Sequence, residues 1–350
     1  MLKIWRRELS KYSAVVAVSL ILSFGLVSQV YAANISANGQ AVGTGTTGTI
    51  TDSTTYTSVA VTTDSGDTTT INNADGADST GTSLVVGGTG GTLNITVVST
   101  AADTDNGVIV INTAGDWGTS SKSLAAINIS SVGVADEDAS IIVNILDDHT
   151  VYATTLNVIS DEGVAGGAAI VTRLAMQEGS AFVGNIVLNN GDSDDQFTPE
   201  VNFLAAGTGT ANVTGNINGA AAGDGTLNVG GIAKVTGNIG NTANLAKVLV
   251  ANASTMEVTG AVYKSASTVL SGTTGTLKAS GTVAQTFTTA ITTGGDGEGV
   301  IDIDNTGGLV TIDGAAGVNG TGLLTIDVAT GATAKIKGGE VNVTGNVLGG

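Results

Sequence analysis

Short apolar runs recur along the whole chain, and in most of them Val, Ile or Leu alternates with Asn, Thr or Asp. The clearest lie at residues 93–98, 108–111, 127–129, 141–146, 156–159, 183–188, 300–303, 309–312 and 323–328. Period-two alternation points one set of side chains inward and the other toward water, so each run is predicted to be a strand. Helical periodicity is almost absent, and only residues 171–177 read as a short helix or turn.

A second, longer period overlies the first. Val-Thr-Gly begins at Val213, Val235, Val258 and Val343, with intervals of 22, 23 and 85 residues, the last close to four more of the same length. A fixed period of this size means one supersecondary unit copied in series, each copy burying its apolar face against its neighbours. A barrel or sandwich joins strands by hairpins, whereas a solenoid pairs each strand in parallel with its equivalent one coil later. From Gly225 the layout fits the solenoid: strand 225–229, corner Gly230-Gly231, strand 232–236, and a turn at Gly237-Asn238 before Ile239. The predicted fold is all-β, a right-handed parallel β-helix with an irregular N-terminal region, with coils of about 20–25 residues and about three strands per turn. Glycine suits such corners because it lacks a Cβ. Asn212, Asn228, Asn238 and Asn342 either stack as hydrogen-bonded ladders between coils or cap their own turns.

The first 32 residues follow neither period. Lys3, Arg6, Arg7 and Lys11 precede an apolar segment at 14–27, and Val30-Tyr31-Ala32 precedes Ala33 as a small-x-small cleavage signature, the pattern of a secretory signal peptide. Residues 33–90 are polar and read as a cap or irregular coils. Residues 91–206 carry stronger strands with longer acidic loops, and 207–350 the regular repeat, continuing past the chain end.

Composition narrows the function. Beyond residue 32 there are 8 basic residues against 29 acidic ones, a formal charge of −21. Such a surface repels nucleic acid and anionic lipid. Cysteine is absent, so disulfides do not hold this exported chain.

The stretch 207–289, with Gly225-Thr226-Leu227-Asn228-Val229-Gly230-Gly231, Lys234-Val235-Thr236-Gly237-Asn238 and Val258-Thr259-Gly260-Ala261-Val262-Tyr263-Lys264, resembles the passenger repeats of rickettsial-type outer-membrane autotransporters, the surface-antigen family of outer membrane protein B. The resemblance covers about a quarter of the chain closely. It implies a passenger displayed at a Gram-negative cell surface, serving adhesion to host or neighbouring cells or an S-layer-like coat through self-association. Members of that family end in a membrane β-barrel, and no such aromatic-girdled strands occur here. The expectation is the N-terminal part of a longer protein, or a free coat-forming relative.

Catalytic constellations are sparse. His149 follows Asp147-Asp148 but has no second His, Cys or nucleophile motif to complete a triad or zinc site. Asp302, Asp304, Asp313 and Asp327 alternate on neighbouring predicted strands, as paired carboxylates of a polysaccharide lyase or hydrolase would. Solubility of an outward face is the usual reason for Asp at such positions and is the preferred reading, and the few aromatics, Trp117 with three Tyr and four Phe beyond Tyr31, are scattered rather than forming a sugar-stacking platform. A non-enzymatic protein is expected. Residues 294–300 approach a glycine-rich calcium repeat but place Gly299 where Asp is needed, and 103–107 begin like an EF-hand loop without its distal Glu. The remaining metal candidates are the oxygen-rich clusters Asp136, Glu137, Asp138 and Asp192, Asp194, Asp195, which suit weak structural calcium.

Overall fold

The computed structural model describes residues 33–35, 40–50, 59–62, 68–73, 79–87, 90–98, 107–132, 139–161, 170–191, 198–204, 208–318 and 321–349. Residues 1–32, predicted to be a signal peptide, lie outside them. Ala33–Gly350 is one compact unit. Among the described residues there are 28 strands and no helix.

Every strand pair is parallel, each strand bonding its equivalents one coil before and one coil after, in sheets of 15 and 13 strands. This is the parallel β-solenoid that the period implied. One coil of the regular region shows the path. Thr226–Val229 lies in a first ladder (A), Ile232–Val235 in a second (B), Ile239 bridges Ile217 and Tyr263 in a third (C), and Leu245–Val250 returns to ladder A. Long strands bend midway and serve two ladders: the first part of Val262–Leu270 pairs in C and its second part in A, with a register shift between Lys264 and Ser267. Three strand segments per coil therefore hold from Trp117 onward. Before it, the described strands alternate between A and C only, so the expected three per turn does not extend to the N-terminal coils.

Coil length changes along the stack. Asn94 and Asn128 are neighbours 34 residues apart, Asn128 and Asn157 are 29 apart, and Asn185 and Asn216 are 31 apart. From there the step shortens to 22 between Asn216 and Asn238 and 24 between Asn238 and Val262.

The Val-Thr-Gly-Asn repeat has a physical reason at each position. Val213, Val235 and Val258 occupy one inward column of ladder B and are fully buried. Removing each such side chain from water contributes about 1.5–3 kcal/mol. The glycine turns the corner from B to C in contact with the coil below: a Cβ on Gly215 would stand 1.8 Å from the Gly184 carbonyl oxygen, on Gly237 2.1 Å from that of Gly215, and on Gly260 1.9 Å from that of Gly237. The asparagine then accepts a backbone N–H from the next coil, Asn216 N to Asn185 Oδ1 at 3.0 Å, Asn238 N to Asn216 Oδ1 at 2.8 Å, and Val262 N to Asn238 Oδ1 at 2.9 Å. Val343 breaks the series. The Val258 column continues through Ala279, Ile303, Val328 and Gly349, whereas Val343 pairs with Leu323.

Residues 171–177 differ from expectation. They belong to the strand Ile170–Met176, held between Ala139–Ile145 and Glu200–Phe203. Pairing on both sides outweighs the local preference.

Inside, Leu93, Ile127, Leu156 and Ile186 stack in register and are buried, as are Ile95, Ile129, Val158 and Leu188. Trp117, Phe182, Phe203, Tyr263 and Phe287 sit inside, while Tyr152 points outward and is partly exposed: Trp117 donates its indole N–H to the Leu84 carbonyl at 3.2 Å, and Tyr263 stacks on Phe287 with centroids 5.0 Å apart.

Candidate functional site

The densest charged group is an outward row on ladder B, where Asn212, Lys234, Glu257, Lys278, Asp302 and Asp327 stand in register on successive coils. Strand alternation puts these side chains on the outer surface, opposite the buried Val column. Lys234 Nζ lies 2.7 Å from Glu257 Oε1, to which the Ser280 hydroxyl also donates at 2.6 Å. Burial works against the charge on Glu257, but those two donors outweigh it and hold the carboxyl below its ordinary range. Lys278 is bonded to Asp302 Oδ2 at 3.1 Å and to Asp304. Burial opposes the ammonium, and the two carboxylates reverse that, raising its pKa. Asp302 moves the other way. Its partial burial favours the neutral acid, Lys278 opposes this, and Asp304 and Asp327 add like charge, leaving its pKa raised.

Two of the four carboxylates singled out by alternation, Asp302 and Asp304, thus come together around Lys278, and Asp327 stands beside Asp302 on the next coil. The fourth, Asp313, stands on ladder C with Lys337 Nζ at 3.0 Å. The ladder B row sits on the outer face of its strands. The open groove of about 330 Å³ beside Asn228, Gly230, Leu249, Asn252 and Ser271 is lined by no carboxylate.

His149 closes a turn against the preceding coil. Thr113 Oγ1 accepts the Leu146 N–H at 3.0 Å and lies 2.9 Å from His149 Nδ1. Residues 294–300 also serve coil contact: Asp296 Oδ1 accepts the Gly322 N–H at 3.0 Å, and Gly297 N–H donates to the Gly322 carbonyl at 2.9 Å. Arg173, the one arginine beyond residue 32, pairs with Glu200 at 2.8 Å.

The calcium candidates Asp136, Glu137, Asp138, Asp192, Asp194 and Asp195 lie outside the described residues, as do 103–106. The strands leading into both clusters end close together in ladder C, with Val132 opposite Asp161 and Ser160 opposite Asn190. Among the described residues no group of three or more His, Cys, Asp or Glu is placed to hold a metal ion, and no helix is long and apolar enough to cross a membrane.

Two polar networks escaped the sequence reading. Tyr263 OH, Ser265, Thr268 and Thr289 bond one another inside the coil at 2.7–3.0 Å, and burial pushes the tyrosine pKa up to about 12 despite the hydroxyls of Thr268 and Ser265. Gln285 and Asn305 form a buried amide pair at 2.8 Å that ties down the backbone of residues 258, 260, 283, 307 and 308. Their only signal is polar residues at inward positions of strand-period sequence.

The asparagines divide between the two expectations. Asn228 donates to Asn202 Oδ1 at 2.9 Å and Asn238 belongs to the corner series. Asn342 reaches the Val318 carbonyl one coil back, while Asn212 caps its own strand at Thr210.

No protein-family model, curated protein or solved structure matches the chain.

Proposed function

We propose that this protein is an exported structural or adhesive surface protein, similar to an autotransporter passenger, which works through extended contact with host or neighbouring cell-surface molecules or with its own kind. The observation that carries this reading is the use of the side chains. The coil interior is filled by stacked aliphatic residues, and the outward Glu257, Asp302, Asp304 and Asp313 are engaged by lysines. Long polar ladders are what remains to meet a partner. A cleft enzyme of the polysaccharide lyase or hydrolase type needs two carboxylates flanking a bound chain, and the Asp302–Asp304–Asp327 group is where such chemistry would have to reside.

Fluorescently labelled chain, incubated with epithelial cells and with Gram-negative cell envelopes, is expected to bind saturably, and heat-unfolded chain is not. Sustained turnover of a polysaccharide that disappears in Asp302→Asn and Asp304→Asn would replace this reading with the enzymatic one. Export is tested separately: mass spectrometry of the protein recovered from outside the cytoplasm is expected to give Ala33 as the first residue.

A further inference from the structure

The outward side of ladder C in the N-terminal half carries almost no charge, as does that of ladder A up to Ile145, but it is ladder C that combines this neutrality with a row of three bonded asparagines. Thr47, Thr70, Asn94, Asn128, Asn157 and Val187 stand in one column on six successive coils. The strands that carry them, Thr47–Ile50, Thr68–Asn73, Thr92–Val98, Leu124–Val132, Thr150–Asp161 and Ala181–Asn190, contain no charged residue apart from Asp161 at the end of its strand. The chain as a whole carries −18. Ladder C beyond residue 260 carries Lys264, Asp313, Lys335 and Lys337.

Within this neutral face the amides are already aligned. Asn128 donates to Asn94 Oδ1 at 2.8 Å and Asn157 to Asn128 Oδ1 at 2.6 Å, and Thr96 and Ser130 bond at 3.0 Å beside them. Asn128, in the middle of the row, spends one N–H and one oxygen lone pair along the axis, leaving a second N–H and a second lone pair for a partner. These groups repeat at the strand spacing of about 4.8 Å. A surface that meets them on every coil needs the same repeat along its own length, and a second copy of this chain has it by construction. The absence of charge removes the repulsion that two polyanionic rods meet elsewhere on their surfaces.

We infer that this amide and hydroxyl face is a self-association surface, on which a second copy lies face to face, coil against coil. Six strands about 4.8 Å apart with three outward positions about 6.7 Å apart cover about 500–600 Å² on each copy. The total, about 1,000–1,200 Å², sits at the lower edge of specific interfaces. A single pair is therefore weak, and an array of anchored copies strengthens it through effective concentration. This deepens the coat-forming side of the proposed function, and its failure would leave an adhesive rod that binds cells as a monomer.

Sedimentation of the purified chain over a range of concentrations tests it. The weight-average mass is expected to rise from monomer toward dimer. Ala126→Glu and, separately, Thr155→Lys put a charge of either sign on neighbouring outward positions of the face. Each is expected to weaken association about tenfold or more, with circular dichroism unchanged. Ala290→Glu, outward on ladder A, is the control and is expected to associate like the parent. Three results would overturn the inference: a parent chain monomeric up to its solubility limit, face variants that both associate as tightly as the parent, or a control that weakens association as much as they do.

Discussion

The glycine of the Val-Thr-Gly-Asn corner is fixed by the backbone of the coil beneath it. A methyl group on Gly237 would stand 2.1 Å from the Gly215 carbonyl oxygen, a backbone atom that moves only if the stack opens. Gly237→Ala is therefore expected to destabilise the fold by about 1–3 kcal/mol, the range for overpacking a tight site, measured by urea denaturation. Gly223→Ala is a poor control despite open space around it, because its φ of 97° is itself costly for alanine. Gly43→Ala, with nothing near its Cβ, is expected to be close to neutral. The charged row makes a second residue-scale prediction with opposite signs. Glu257 has a depressed folded pKa, so its contribution is present above its ordinary value of 4.5 and is lost as pH falls through the folded value. Asp302 is raised above 3.8, so its contribution is present at low pH and is lost as pH rises through the folded value. At pH 7 Glu257→Gln is expected to destabilise and Asp302→Asn to be neutral or stabilising, each by under about 1 kcal/mol because both sites are partly solvated. Urea midpoints at pH 7 and pH 4 check this, and the Glu257→Gln deficit should shrink at the lower pH.

At the scale of the strand and the ladder, legibility depended on whether the repeat kept its length. Val213, Val235 and Val258 could be aligned by eye because 22 and 23 residues separate them, and the corner asparagines came with them. Asn94, Asn128 and Asn157 form an equally regular ladder, but the loops between their coils make the steps 34 and 29. A loop of any length restores the same register, so pairing leaves no fixed period in the sequence there. Val343 shows the converse, a motif that matches in letters and falls out of column because it begins the last strand and pairs with Leu323, five residues before Val328, the member of the Val258 column on that coil. Strand 170–176 was missed for a related reason: its Arg173, Ala175 and Met176 look helical alone, and only the neighbours on both sides impose the extended form. The buried hydroxyls around Tyr263 left only polar residues at inward positions as a signal, since their partners come together through a bend in Val262–Leu270 and the next coil. Asn128 supplies the element-scale test. Asn128→Asp keeps the shape, removes the donor to Asn94 Oδ1 and sets two oxygens against each other in a half-buried row. A loss of about 1–3 kcal/mol is expected at pH 7, in line with an unsatisfied charged group, and acidification that protonates the aspartate should recover part of it. Equal urea midpoints for the two proteins at pH 7 would show that the ladder contributes nothing.

For the whole molecule, charge and stacking pull against each other. A solenoid gains stability from each coil meeting the next, while the formal charge of −21 beyond residue 32 repels itself along the stack. Any cation relieves part of that repulsion by screening, and a bound divalent ion relieves more at the carboxylates that hold it. Asp136, Glu137 and Asp138 follow one strand of ladder C, and Asp192, Asp194 and Asp195 follow another two coils further on, with no basic residue in either cluster. Extracellular calcium sites of this weak class fill at about 0.1–1 mM. For one site, free ion at ten times its dissociation constant adds about 1.4 kcal/mol, because only the folded state binds. Calcium at about 10 mM is therefore expected to raise the unfolding temperature by a few degrees more than NaCl of matched ionic strength. Asp136→Asn, Glu137→Gln and Asp138→Asn together should remove part of that excess, and the same exchange at Asp192, Asp194 and Asp195 the rest, while the NaCl response stays. An identical rise in the two salts would mean that screening alone acts on this rod, and that neither cluster is a calcium site.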